Sequence, residues 1–141
     1  MAKVTFRRPV GKSKLQQSVE LSGYVWNELF GMAEHRVVAM RLLNRALGER
    51  EHVHHCNRVK TDNAPYNLFV LTPAVHDFVH LAILLPAETR SWTSGRQLLF
   101  PETLSKFLKE EGIPHIWLEE VRLARLNDET TGEAGNADSG V

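Results

Sequence analysis

The sequence predicts an α+β domain: a short strand, a loop, a second short strand and a helix, with further helices on either side. Three observations carry that reading. Apolar residues recur at helical spacing over 33–47. Two four-residue runs, 52–55 and 68–71, flank a stretch dense in turn formers, the pattern of strand, loop and strand. Five of the seven histidines (His52, His54, His55, His76, His80) fall between 52 and 80, so the chemistry is concentrated where those elements meet. A length of 141 residues gives one domain as the natural prior. An apolar content of 43% excludes a wholly disordered polymer, and one Cys excludes a disulfide scaffold or a Cys-rich zinc ribbon.

The first element expected is a mobile basic arm over 1–18, with Lys3, Arg7, Arg8, Lys12 and Lys14 beside Pro9 and Gly11 and no sustained apolar period. Extended chain follows over 19–30, carrying Gly23, Tyr24, Val25 and Trp26. The helix over 33–47, closed by Gly48, places Val38, Ala39, Met40, Leu42, Leu43, Ala46 and Leu47 on one broad arc. His35 and Arg36 lie inside that arc, where a bare charge is costly, so both need partners. The strand 52–55 leads into a loop over 56–67, rich in Asn57, Asp62, Asn63, Pro65 and Asn67, and then into the strand 68–71. Thr72 as N-cap and Pro73 in the first turn launch a helix running to about 85 and stopping at Pro86. Residues 87–100 read as irregular. Helices follow over 101–111 and 114–126, each opened by proline and read as packing elements. The segment 128–141 reads as a disordered acidic tail.

Charge is balanced overall, 17 basic against 17 acidic residues, but not along the chain. Residues 1–60 carry eleven Lys/Arg and five Asp/Glu, and 61–141 carry six and twelve, so the first part is suited to meet phosphate. The longest apolar run, 81–85, is far short of the roughly 20 residues a membrane span needs. No signal-peptide pattern opens the sequence, and a cytoplasmic protein is the expectation.

His76 and His80, four apart on a helix, bring their rings to one face at a spacing suited to gripping one metal ion. His54 and His55 are neighbours on a strand and point to opposite sides. One of them can join the metal while the other stays free, as a general base must be.

The stretch from Glu51 to His80 reads Glu-x-Val-His-His-x-Asn-x-x-Lys-Thr-Asp-Asn-x-Pro-x-Asn-Leu-x-x-Leu-Thr-x-x-x-His-x-x-x-His. It resembles the HNH endonucleases, whose active site is a ββα-metal (His-Me finger) motif. Upstream, Glu34-His35-Arg36 and Leu47-Gly48 are similar to the segment preceding the motif in many phage and intron-borne members. The resemblance covers about 30 residues, near 50 with that upstream segment. It implies a nuclease domain over 19–127 with its ββα-metal core about 51–85 and C-terminal helices about 101–127. It further implies His54 as first metal ligand, His55 as general base, Asn67 as the asparagine that ties the loop together, His76 as second ligand and His80 as third. Where the family often has Gly after the loop Asn, this chain has Arg58, and Cys56 replaces a common aliphatic residue.

The implied function is a metal-dependent DNA endonuclease, nicking by default, that leaves 5′-phosphate and 3′-hydroxyl ends. His55 would take a proton from water, and Arg36, Arg58 or Lys60 would hold flanking phosphates. One divalent ion is implied (Mg, Mn, Zn, Ni or Co), and three imidazoles favour the transition metals and zinc over magnesium. Phage members imply DNA packaging beside a terminase, or homing, without a choice between them. Three rivals stand: a zinc staple with Cys56 as fourth ligand, a non-catalytic nucleic-acid-binding module, and an RNase or toxin nuclease. His52 and His115 read as surface or packing residues.

Overall fold

The computed structural model describes residues 11–84 and 95–139, with side chains through Asp128. Helix α1 (Lys14–Leu21) starts where the Ser13 hydroxyl caps the Gln16 amide at 3.0 Å, and it stops at Gly23, which takes φ +94°. The part of the expected mobile arm that is described is therefore helical from Lys14. Its anchor is Gln16, buried and donating to Glu28 at 3.0 Å, a polar contact that a search for apolar periodicity passes over. Residues 1–10 lie outside the described ones.

The expected extended segment supplies only β1 (Trp26–Asn27), which pairs antiparallel with β2 (Met32–Ala33). Helix α2 (Glu34–Leu43) ends four residues before the expected stop at 47. The reason is local: Asn44 adopts the left-handed conformation (φ 56°) that Asn tolerates better than most residues, and its N–H returns to the Met40 carbonyl.

Strand β3 (His52–His55), the loop after it and β4 (Leu68–Leu71) fall where the sequence places them. A 3₁₀ turn over Pro65–Asn67 leads into β4. Helix α3 (Pro73–Ile83) opens on the Thr72 cap, whose hydroxyl accepts from the Val75 N–H, with Pro73 in the first turn. The expected stop at Pro86 lies outside the described residues. A second 3₁₀ turn (Gly95–Leu99) occupies part of the segment read as irregular, and α4 (Pro101–Glu110) matches its expected helix.

The last expected helix is revised at both ends. Ile116–Trp117 forms β5, which pairs with the free edge of β4 and lays Trp117 on Phe69 in a stacked contact at 5.6 Å. Helix α5 (Leu118–Ser139) begins only then, and it continues through most of the segment expected to be a disordered tail. That segment holds no proline to stop the helix, although Gly132 and Gly135 lie within it.

The sheet β3-β4-β5 is antiparallel throughout, with β3 at one edge. Alternation along β4 gives each face its own core. Leu68 and Val70 pack with Val53, Ala39 of α2 and Leu118 of α5. Phe69 and Leu71 pack with Val79 and Ile83 of α3, Leu98, and Leu104, Phe107 and Leu108 of α4. A four-residue strand buried on both faces reads as an unbroken apolar run, as Leu-Phe-Val-Leu does. The result is a helix layer on each side of a small sheet. Among the described residues no helix is long and apolar enough to cross a membrane.

Candidate metal centre

The candidate site is built from edge strand β3, the loop after it and α3. In the β3–β4 register His54 stands opposite Phe69 and His52 opposite Leu71, so both lie on the face that α3 covers. His55, one residue on, lies on the α2 face. His76 and His80 lie one turn apart on α3, and their rings close on His54. Ring centroids are 5.1 Å apart for His54 and His76, 5.0 Å for His54 and His80, and 4.6 Å for His76 and His80.

One ring nitrogen from each of these three residues lies within 4.8 Å of the others, close enough to hold one metal ion. His54 Nε2 is buried with no hydrogen-bond partner among the described residues, a costly state for a polar atom unless something else satisfies it. His76 Nε2 and His80 Nε2 face each other at 2.9 Å. Burial holds the His54 imidazole down to about 3 and His76 to about 4, with the neighbouring histidines adding to the effect; burial also lowers His80. Three neutral imidazoles with lone pairs to give are what a divalent transition ion or zinc requires. The residues present therefore fit a metal. Cys56 takes no part: its thiol is fully buried 3.3 Å from the Leu98 carbonyl, and burial raises it to about 12.

His55 is held differently. Its Nε2 is 2.8 Å from the Asn63 Oδ1, and because an amide oxygen only accepts, the proton sits on Nε2 and Nδ1 keeps the lone pair. Its ring packs against His35 (4.9 Å, edge-on) and Tyr24 (5.7 Å). Burial lowers the His55 imidazole and holds His35 at about 4, so the pair is neutral at neutral pH. Because β3 is an edge strand, side chains from both its faces open on one cleft. That cleft, of about 110 Å³, is lined by Tyr24, Val53, His54, His55, Arg58, Lys60, His76 and His80.

The loop that carries Arg58 and Lys60 is tied by Asn67. Its Oδ1 accepts from the Asn57 N–H and its Nδ2 donates to the Asp62 carbonyl, both at 2.9 Å, while its own carbonyl accepts from Cys56 N–H at 2.8 Å. Asn67 thus spans both ends of the loop. Lys60 donates to the Ser22 carbonyl at 2.8 Å, and its ammonium lies 5.0 Å from the Tyr24 ring centre.

Of the expected site residues, the structure brings together His54, His55, His76, His80, Arg58 and Lys60. Arg36 is not brought to the cleft: its guanidinium reaches the Glu51 carbonyl at 3.3 Å and serves the α2–β3 junction. Sequence reasoning missed Asn63, Tyr24 and His52. Period-2 alternation from His54 was the signal that could have found His52, whose Nδ1 is 3.2 Å from His76 Nδ1. Compared with protein-family models, curated proteins and solved structures, the chain matches none.

Proposed function

We propose that this chain is a metal-dependent DNA endonuclease of the HNH type, nicking one strand with His55 as general base. One observation carries the reading. A three-histidine cluster, a neutral histidine whose Nδ1 keeps the lone pair and two cations, Arg58 and Lys60, share one cleft. The resemblance of residues 51–80 to the ββα-metal motif supports it, as does the order β3, loop, β4, α3. A divalent ion held by His54, His76 and His80 would supply Lewis-acid charge to the phosphoryl and departing oxygens.

The chain's own residues do the rest. Asn63 fixes the His55 tautomer, and Nδ1 takes the proton as a water oxygen bonds to phosphorus. The bond from phosphorus to the 3′ oxygen breaks and that oxygen takes a proton from solvent water, leaving 5′-phosphate and 3′-hydroxyl ends, while His55 returns its proton to solvent. Burial keeps His55 uncharged at neutral pH, ready to accept that proton. Arg58 and Lys60 neutralise phosphates beside the scissile one. Asn67 acts through the loop it closes, as a positioning residue. The fourth ligand that a zinc staple would need finds no support in Cys56, which is buried against Leu98.

The test is nicking of supercoiled plasmid by metal-stripped protein, with Mg²⁺, Mn²⁺, Co²⁺, Ni²⁺ or Zn²⁺ restored singly. Cutting is expected with at least one transition ion. His55→Ala should bind metal and fail to cut, and His76→Ala should lose both. No cleavage of any DNA or RNA offered, or a His55→Ala variant as active as the parent, overturns the proposal in favour of a binding module with a structural metal.

A further inference from the structure

We infer that His52 is a positioning residue for the metal cluster, its Nδ1 accepting the Nδ1 proton of His76 and so fixing that ligand's tautomer and ring plane. The inference rests on the metal reading proposed above. His52 lies two residues before His54 on β3, hence on the same face, and its ring stands perpendicular to that of His76 with centroids 5.3 Å apart.

A neutral imidazole carries one proton shared out between two nitrogens, and both nitrogens of His76 have a histidine nitrogen beside them. The 3.2 Å contact to His52 requires one donor. If His76 offers Nε2 to an ion, its proton must sit on Nδ1, and His52 must present an unprotonated Nδ1 to receive it. His52 therefore carries its own proton on Nε2. Ligating histidines ordinarily donate their second ring N–H to a carboxylate, a carbonyl or water. Here a fourth histidine fills that place. It also supplies a reason for a half-buried histidine on an edge strand beside α3, which surface exposure alone does not.

The experiment is titration of the metal-stripped full chain with Co²⁺, read by its visible absorption bands, for the parent, His52→Ala and His52→Asn. The Asn carboxamide places an acceptor oxygen close to where His52 Nδ1 stands. His52→Ala is expected to weaken Co²⁺ binding by about 10- to 100-fold and His52→Asn to recover most of it. In long-range ¹H–¹⁵N spectra of the Zn²⁺-loaded parent, His76 should carry its proton on Nδ1, and in His52→Ala that proton should exchange faster. Far-UV circular dichroism checks that each variant folds. Parent-like Co²⁺ affinity in a folded His52→Ala, or no recovery in a folded His52→Asn, overturns the role of His52 while leaving the metal reading intact. A parent that takes up no Co²⁺ or Zn²⁺ overturns both.

Discussion

At Arg58 the backbone sits at φ +67°, a conformation that disfavours a side chain by roughly 1–2 kcal/mol and that glycine adopts freely. A glycine at this point would carry no such penalty. This chain keeps an arginine there, lining the cleft and close enough to His54 and His80 to disfavour their charged forms. Strain retained at a cleft is a sign of a side chain kept for its chemistry. Arg58→Gly should leave stability unchanged or raise it by up to about 1 kcal/mol, since relief of strain is partly offset by a more flexible unfolded chain. The same variant should raise KM for plasmid nicking more than it lowers kcat. Urea unfolding and nicking kinetics on one preparation check both, and lowered stability with unchanged KM would refute it. Residue positions were legible wherever a spacing encodes a face: His76 and His80 by one helical turn, His54 and His55 by strand alternation. Asn63 was not legible, because its meeting with His55 depends on how the loop folds back, which no local period records.

Between elements, Gly95 marks a tight approach. A Cβ there would stand 2.2 Å from the Ile83 carbonyl and 2.6 Å from that of Ala82, so the Gly95–Leu99 turn rests directly on the end of α3. Both obstacles are backbone, and neither can swing aside. Gly95→Ala should therefore cost about 2–3 kcal/mol or more, measured as a drop in the urea midpoint. Because α3 carries His76 and His80, metal affinity should fall with it. The elements read correctly from sequence were those with an explicit boundary signal: β3 and β4 bounded by turn formers, α3 with a Thr-Pro start and α4 with a proline start. Those read wrongly were decided by features that apolar periodicity does not record. α1 is anchored by a buried glutamine, α2 is cut short by one residue's left-handed turn, and β5 forms because β4 offers it an open edge. Two residues borrowed by a neighbouring strand leave no periodic trace of their own.

At the scale of the whole molecule, the sheet with helices on both faces brings side chains from residues 24 to 80 into one cleft. It also makes the metal-free protein sensitive to acid. His35, His54 and His76 are held at about 4, 3 and 4 when folded, against an ordinary 6.5. Above pH 6.5 both the folded and unfolded forms are neutral at these sites. As pH falls from about 6.5 toward 4 the unfolded chain takes up protons the folded one refuses, and stability is lost through that window. Melting curves of the metal-stripped chain should show Tm falling between pH 6.5 and 4. A saturating transition ion at pH 7 should raise Tm in a concentration-dependent way. A flat profile from pH 7 to 4 would argue that the histidines are exposed. One further consequence comes from Cys56, the chain's single thiol, sealed between β3 and Leu98. A thiol-exchange dye reaches it only when the core around it opens, so its labelling rate reports on that opening. The protein carries its own stopwatch for the breathing of the core that seats α3, readable in a cuvette without an engineered cysteine.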